Sequence, residues 1–217
     1  MFPFPFSFIA PKDFPVEQIP NLETLEFNGV DTFISYPDIT LSSSSYTISM
    51  WVNVGIGGTN VGYLLTNGNT GTTDANTKGF KIDESGTIGQ LAYWNGASQV
   101  LLGTVSNSVN NWNHLAFVCN TSSNSITSFI NGVQSTVGSI TNIQNVYNLI
   151  GMFRTNNSSN PILGMLDEIA IFNREIDGDK ILEIYQATAV VSGVPQTANL
   201  FSGGLNSSII YWNRMGD

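Results

Sequence analysis

Residues 110–135 read NNWNHLAFVCNTSSNSITSFINGVQS. In the first half, Leu115, Phe117 and Cys119 fall on one side of a two-residue alternation, and Trp112, His114 and Ala116 fall on the other. That is the period of a strand, with apolar side chains on both faces. A second β-branched and aromatic run, ITSFI (126–130), follows a Ser/Asn-rich turn. It ends at Asn131-Gly132, where a two-residue turn needs positive φ at both central positions; Asn-Gly meets that need best. The stretch therefore predicts antiparallel strands joined by tight turns.

The same signals recur outward in both directions. LEFNGVDTFISY (25–36), YTISMWVNV (46–54), GYLLTN (62–67), GFKID (79–83), QLAYWN (90–95), YNLIGMF (147–153) and MLDEIAIFN (165–173) are strand-like runs. Gly, Asn or Ser clusters bound nearly all of them. KIDESGTI (81–88) offers a longer hairpin loop with Gly86 near its end. Short strands at regular spacing predict an all-β sandwich or barrel. One helix is expected in DGDKILEIYQATA (177–189), with Asp177 or Asp179 as the cap and Ile181, Leu182, Ile184 and Tyr185 as the apolar stripe.

Composition sets the outer limits. The chain has 217 residues, 41% of them hydrophobic and 11% aromatic, enough for one principal domain. Seven Lys and Arg against 16 Asp and Glu give a net charge of −9, so the basic footprint of a nucleic-acid binder is missing. No apolar run reaches the eighteen or so residues of a membrane helix, and no membrane insertion is expected. The single cysteine, Cys119, cannot form an internal disulfide and reads as a core residue. MFPFPFSFIAPKDFP (1–15) is apolar but has no basic leader and is broken by prolines, so it is not read as a signal peptide. Three zones result: an extended Phe/Pro-rich arm over 1–21, a body over 22–190, and a closing segment with a final strand over 191–217.

Four features of the body occur in a familiar order. They are an opening FNG-x-D strand (27–31), a TISMWV strand (47–52), WNHLAFV leading to INGV (112–133), and G-x-LDE-x-x-I-x-N-R (164–174) followed by a short helix. The ordered set resembles the laminin-G-like jelly-roll domains of the concanavalin A-like lectin/glucanase superfamily over residues 22 to 188. The resemblance implies a two-sheet antiparallel jelly-roll sandwich whose function lies on edges and loops: glycan binding, protein binding or a structural role. The closing IIYWNRMGD (209–217) is similar to segments that follow such domains in bacteriophage virion and tail proteins.

The resemblance also implies a calcium ion. Where family members hold one, the opening strand and the LDE strand commonly supply its oxygens, and the matching positions are Asp31 and Asp167, with carbonyls of the Asn28-Gly29 turn beside them. Calcium takes six to eight oxygen ligands, so Asp31, Asp167 and Gly29 would provide part of a shell. The alternative is that Asp167 and Glu168 bond backbone amides and pair with Arg174.

Catalysis is not expected. Glucanases of the superfamily carry E-x-D-x-E, whose alternation projects carboxylates from one face. Here Asp167 and Glu168 are adjacent, so regular alternation sends them to opposite faces, and Asp83-Glu84 lies in a turn. His114, the sole histidine, sits within an apolar strand and reads as structural. One histidine and one cysteine do not compose a zinc site, and no Gly-rich phosphate loop precedes a helix.

YWNGAS (93–98) is the candidate glycan loop. An exposed Trp94 can stack on a sugar while Asn95 bonds its hydroxyls; the alternative is a Trp94 packed across strands beside a turn. Trp51 and Trp112 lie inside strand patterns and are expected to pack. Two functions remain open. One is a structural or decoration component of a virion, attached to neighbouring subunits through its terminal segments, with Phe2, Phe4, Phe6, Phe8 and Phe14 buried in a neighbour or folded back on the same chain. The other is a carbohydrate-binding adhesion module for surface glycans, placed outside the cell or at its surface.

Overall fold

The computed structural model describes residues 17–19, 24–29, 32–41, 44–54, 62–67, 77–83, 89–105, 111–150 and 163–214. In chain order these residues form β1 (Glu17–Ile19), β2 (Leu25–Asn28), β3 (Ile34–Thr40), β4 (Ser45–Val54), β5 (Gly62–Thr66), β6 (Gly79–Asp83), β7 (Gln90–Trp94), β8 (Gln99–Thr104) and β9 (Trp112–Asn120). They continue with β10 (Ser125–Ile130), β11 (Val133–Ser139), β12 (Val146–Ile150), β13 (Leu163–Phe172), α1 (Gly178–Ala187), β14 (Val190–Val191), β15 (Val194–Pro195), β16 (Thr197–Asn199) and β17 (Ile209–Asn213). No helix among the described residues is long and apolar enough to cross a membrane.

Two antiparallel sheets face each other. The seven-stranded sheet runs β11-β10-β9-β4-β13, with β17 and β2 pairing end to end along the far edge of β13. The six-stranded sheet runs β3-β12-β5-β6-β7-β8. This is the expected all-β jelly-roll sandwich. The Asn131-Gly132 turn has φ of 52° and 77°, as a two-residue hairpin requires, and sets Ile130 opposite Val133. Gly132 answers a second demand as well, because a Cβ there would lie 2.8 Å from Leu182 Cδ1 and 2.9 Å from Tyr185 Cδ1 of α1.

The core lies between the sheets. Ile48, Met50, Leu115, Phe117, Ile169 and Ile171 meet Leu64, Phe80, Ile82, Leu91, Tyr93 and Tyr147 there, and Cys119 is buried among them as expected. Phe80 stacks on Phe117 at 4.3 Å between ring centroids, joining the two sheets. The buried phenols find partners, as buried polar groups must. Tyr46 donates to the Gln144 carbonyl at 2.6 Å and lies 2.7 Å from the Tyr147 hydroxyl, while the Gln144 amide donates to Tyr93 at 2.7 Å.

Both edges of the sandwich are drawn together. On one side the Ser128 hydroxyl donates to the Leu102 carbonyl, and an added Cβ at Gly138 would meet Leu102 and Val100 side chains at 3.0 and 3.1 Å. On the other, Tyr36 of β3 packs edge-on against Tyr211 of β17 at 5.2 Å. The closing segment thus completes the seven-stranded sheet. Within the arm, residues 17–19 pair with β16, Glu17 opposite Asn199 and Ile19 opposite Thr197. These three residues lie between Pro15 and Pro20, and their own amides are unblocked. The five arm phenylalanines lie outside the described residues.

Helix α1 covers the outer face of the seven-stranded sheet. Asp177 is its N-cap, accepting the Lys180 amide at 2.8 Å. Ile181 and Ile184 are buried against Phe129, Ala116 and Phe172. Leu182, expected on the buried stripe, is 37% exposed at the rim of the helix.

Candidate functional site

The Asp167-Glu168 pair departs from simple alternation. Glu168 has φ of +48°, and the ladder to β4 slips there: Asp167 lies opposite Trp51, but Ala170 lies opposite Ser49, so Glu168 and Ile169 together face Met50. This is a β-bulge. It keeps Leu166, Ile169 and Ile171 in the inner core, and both carboxylates turn to the outer face. The expected opposite facing is therefore corrected by the extra residue.

Both carboxylates are buried and engaged. Asp167 Oδ1 accepts the Glu168 amide at 2.8 Å. Glu168 accepts the Thr197 hydroxyl at 2.6 Å and the Trp212 indole at 3.3 Å, and Arg214 Nε donates to the same Thr197 oxygen at 3.2 Å. Glu168 thereby fastens β16 and β17 to the body. Arg174, the expected partner, is exposed and donates to the Gly204 carbonyl at 3.1 Å.

Of the implied calcium ligands, Gly29 and Asp167 stand apart. Leu163 pairs with Asn28, so Gly29 sits at the start of β13, four residues before Asp167. At about 3.3 Å per residue that is roughly 13 Å, too far for one ion with ligands near 2.4 Å. Asp31 lies outside the described residues. Among the described residues no three His, Cys, Asp or Glu side chains form a metal-binding group.

His114 is structural, in an unexpected setting. Its Nε2 lies 2.8 Å from the Ser49 hydroxyl, both residues are buried, and Nδ1 has no partner. Burial pushes the imidazole pKa down to about 3. Among the described residues no carboxylate reaches Nδ1 to orient the ring, so there the pair lacks the third member of a nucleophilic triad. Trp51 and Tyr185 close over it, with ring centroids 5.4 and 5.8 Å away. Trp51 is buried under α1 rather than between the sheets, and its indole donates to Thr188 at 2.8 Å. Trp112 donates to the Gly193 carbonyl at 2.9 Å, tying down the turn after α1.

The outer face of the six-stranded sheet is different. On β6 and β7, Phe80, Ile82, Leu91 and Tyr93 point inward, which leaves Lys81, Ala92 and Trp94 outward. Trp94 is half-buried at the end of β7, between Gly79 on β6 and Gln99 on β8. Lys81 holds its ammonium 5.6 Å from the Trp94 ring centroid. Asn95 Oδ1 accepts the Ala97 and Ser98 amides at 2.9 and 2.8 Å, and the Asn95 amide donates to the Ser98 carbonyl at 3.1 Å. Asn95 thus shapes the turn that presents Trp94, and its side-chain oxygen is spent on that turn rather than on a sugar. Gly79, Lys81 and Gln99 were not singled out in the sequence; alternation in GFKID and QLAYWN placed Lys81 and Trp94 on one face, but the strand pairing that joins them is non-local.

Comparison with known proteins agrees with this architecture. The family model of the concanavalin A-like lectin/glucanases superfamily matches residues 28–182. No curated protein matches the chain in sequence. Among solved structures, a Bacteroides ovatus protein assigned to carbohydrate binding is similar at 15% identity and TM-score 0.60, over 94% of this chain and 53% of its own. Domain 4 of the Geobacillus stearothermophilus arabinanase AbnA, solved with arabinotriose, is similar at 20% identity and TM-score 0.54, over 81% and 83%. The CBM40 of the Ruminococcus gnavus IT-sialidase, solved with α2,3-sialyllactose, is similar at 14% identity and TM-score 0.52, over 76% and 97%. The chain spans about half of the Bacteroides protein and 28% of the similar Trypanosoma rangeli sialidase. At these identities the structural likenesses establish the fold, and with the family match they place the chain in the concanavalin A-like lectin/glucanase superfamily.

Proposed function

We propose that this chain is a carbohydrate-binding module that recognises sugar through Trp94 on the outer face of the six-stranded sheet. The observation that carries the reading is the setting of Trp94: a half-buried indole at a strand end beside a locked turn, with glycine as its register partner on β6 and the Lys81 ammonium 5.6 Å from its ring. An indole so placed offers a flat apolar face to the C–H side of a pyranose, with Gln99 as a neighbouring donor and acceptor. Several similar folds come from carbohydrate-binding proteins, which agrees with this reading.

The setting of the acidic pair supports binding without hydrolysis. Asp167 and Glu168 are buried on the other sheet and engaged with their own chain, so they are not poised at a sugar. The described parts of the terminal segments are likewise engaged internally, through the β1–β16 and β13–β17 pairings. That favours a binding module over a virion component attached to neighbours by its termini. A glycan array with the whole chain, followed by titration of the best ligand against Trp94→Ala, tests the proposal. Retained affinity in a folded Trp94→Ala variant would place the site elsewhere.

A further inference from the structure

His114 stands on β9 near the middle of the seven-stranded sheet, on its outer face, and α1 covers it. Its surroundings are Ser49 and Trp51 on β4, Tyr185 on α1, and Asn131, whose side chain accepts the His114 amide at 2.9 Å. The carboxylate on this face is Asp167, which stands on β13 beyond Trp51, directly opposite that tryptophan in the ladder. Glu168 follows it and is occupied by Thr197 and Trp212. On α1 the ion pair Lys180–Glu183 is satisfied within the helix at 2.5 Å, and Asp177 and Asp179 lie at its exposed start. Tyr185 is the titratable group that touches the imidazole from the helix side. Among the described residues Nδ1 has no hydrogen-bond partner.

In either tautomer, protonating the ring would bury a charge whose Nδ1–H has no hydrogen-bond partner among the described residues, which is strongly unfavourable. The charge has one short way out. The inner face of β9 is committed to the core through Leu115, Phe117 and Cys119, whereas on the outer face His114 packs against Trp51 of its own sheet and against α1 through Tyr185. That helix is held by Ile181 and Ile184, by the Trp51–Tyr185 stack at 5.7 Å, and by the Trp51–Thr188 hydrogen bond. Lifting α1 returns His114 to water without parting the two sheets, so local opening is the cheaper response.

We propose that His114 makes the docking of α1 acid-labile, so that mild acid releases this helical layer from the sandwich while the sheets stay paired. The proposal is independent of the glycan reading, since Trp94 lies on the other sheet. An opened state with an ordinary histidine pKa near 6.5 takes up a proton that the closed state refuses. Between pH 7.5 and pH 5.0 the opening equilibrium should rise about 30-fold, from the factor 1 + 10^(6.5 − pH).

Amide hydrogen exchange of the whole chain, corrected for intrinsic exchange, tests this. Protection of the Ile181–Thr188 amides should fall about 30-fold between pH 7.5 and 5.0, while amides of β9 and β10 keep theirs. His114→Gln should abolish the pH dependence of α1. Should that variant fail to fold, NMR of the wild-type imidazole decides: a closed-state ring that titrates near pH 6.5 with α1 still protected would overturn the proposal. So would equal loss of protection in α1 and β9, or an unchanged pH dependence in a folded His114→Gln.

Discussion

Gly79 stands directly across from Trp94 on neighbouring strands, and no other residue type fits there. A Cβ at Gly79 would lie 2.2 Å from the Leu65 carbonyl oxygen and 2.9 Å from Thr66 Cα, both on the strand beyond. The close passage of β5 therefore forces glycine at this point. Gly79→Ala should push the β5 backbone away and destabilise the fold by about 1–3 kcal/mol, the usual range for overpacking. Urea unfolding checks this; an unchanged midpoint would mean that β5 does not pass so close.

Glu168 combines backbone strain with two buried hydrogen bonds. Glu168→Ala removes the acceptor from Thr197 and Trp212 and should cost about 1–3 kcal/mol. Glu168→Gly loses the same bonds but relieves the positive φ, and should be more stable than the alanine variant by about 1 kcal/mol. Comparing the two variants by equilibrium unfolding separates strain from bonding. The reverse order would argue against the bulge.

Stability should fall in acid, with His114 responsible for part of the slope. Its folded-state pKa, lowered by burial to about 3, lies below the ordinary 6.5, so the unfolded chain binds a proton that the folded chain does not. The contribution is fully present above pH 6.5 and is lost as pH falls from there toward 3, at up to about 1.4 kcal/mol per pH unit. Urea midpoints between pH 7.5 and 5 should drop more steeply in wild type than in His114→Gln. Parallel slopes would remove His114 from the account.

Chelation should leave thermal stability unchanged, because Gly29 and Asp167 stand roughly 13 Å apart at opposite ends of the β2–β13 pairing. Differential scanning calorimetry with and without excess EDTA, then with added calcium, measures this. A calcium-dependent rise of the melting temperature would point to a shell built around Asp31 with ligands other than Asp167.

Much of the sandwich was legible because its signals are local. The Asn131-Gly132 turn, the inward and outward sets on β9, the Asp177 cap and the final apolar strand each follow from a few consecutive residues. The bulge at Glu168 was not, since alternation read from MLDEIAIFN assumes an unbroken ladder, and the slip exists only relative to β4. The burial of Trp51 and Tyr185 over His114 arises from where α1 docks, which its own heptad does not state. Trp94 was visible as a candidate in YWNGAS, where a tryptophan stands beside an Asn-Gly loop. Its place between Gly79 and Gln99 depends on non-local pairing, and the occupation of Asn95 by its own turn depends on geometry.

The most direct test of the central claim is the affinity of wild type and Trp94→Ala for the best glycan from an array, measured by isothermal titration calorimetry alongside their melting temperatures. Trp94→Ala should lose at least tenfold in affinity, the cost of one lost aromatic contact of about 1.4 kcal/mol or more, with the melting temperature nearly unchanged. Undiminished binding by a folded Trp94→Ala, or no glycan bound by the wild-type chain, would contradict it.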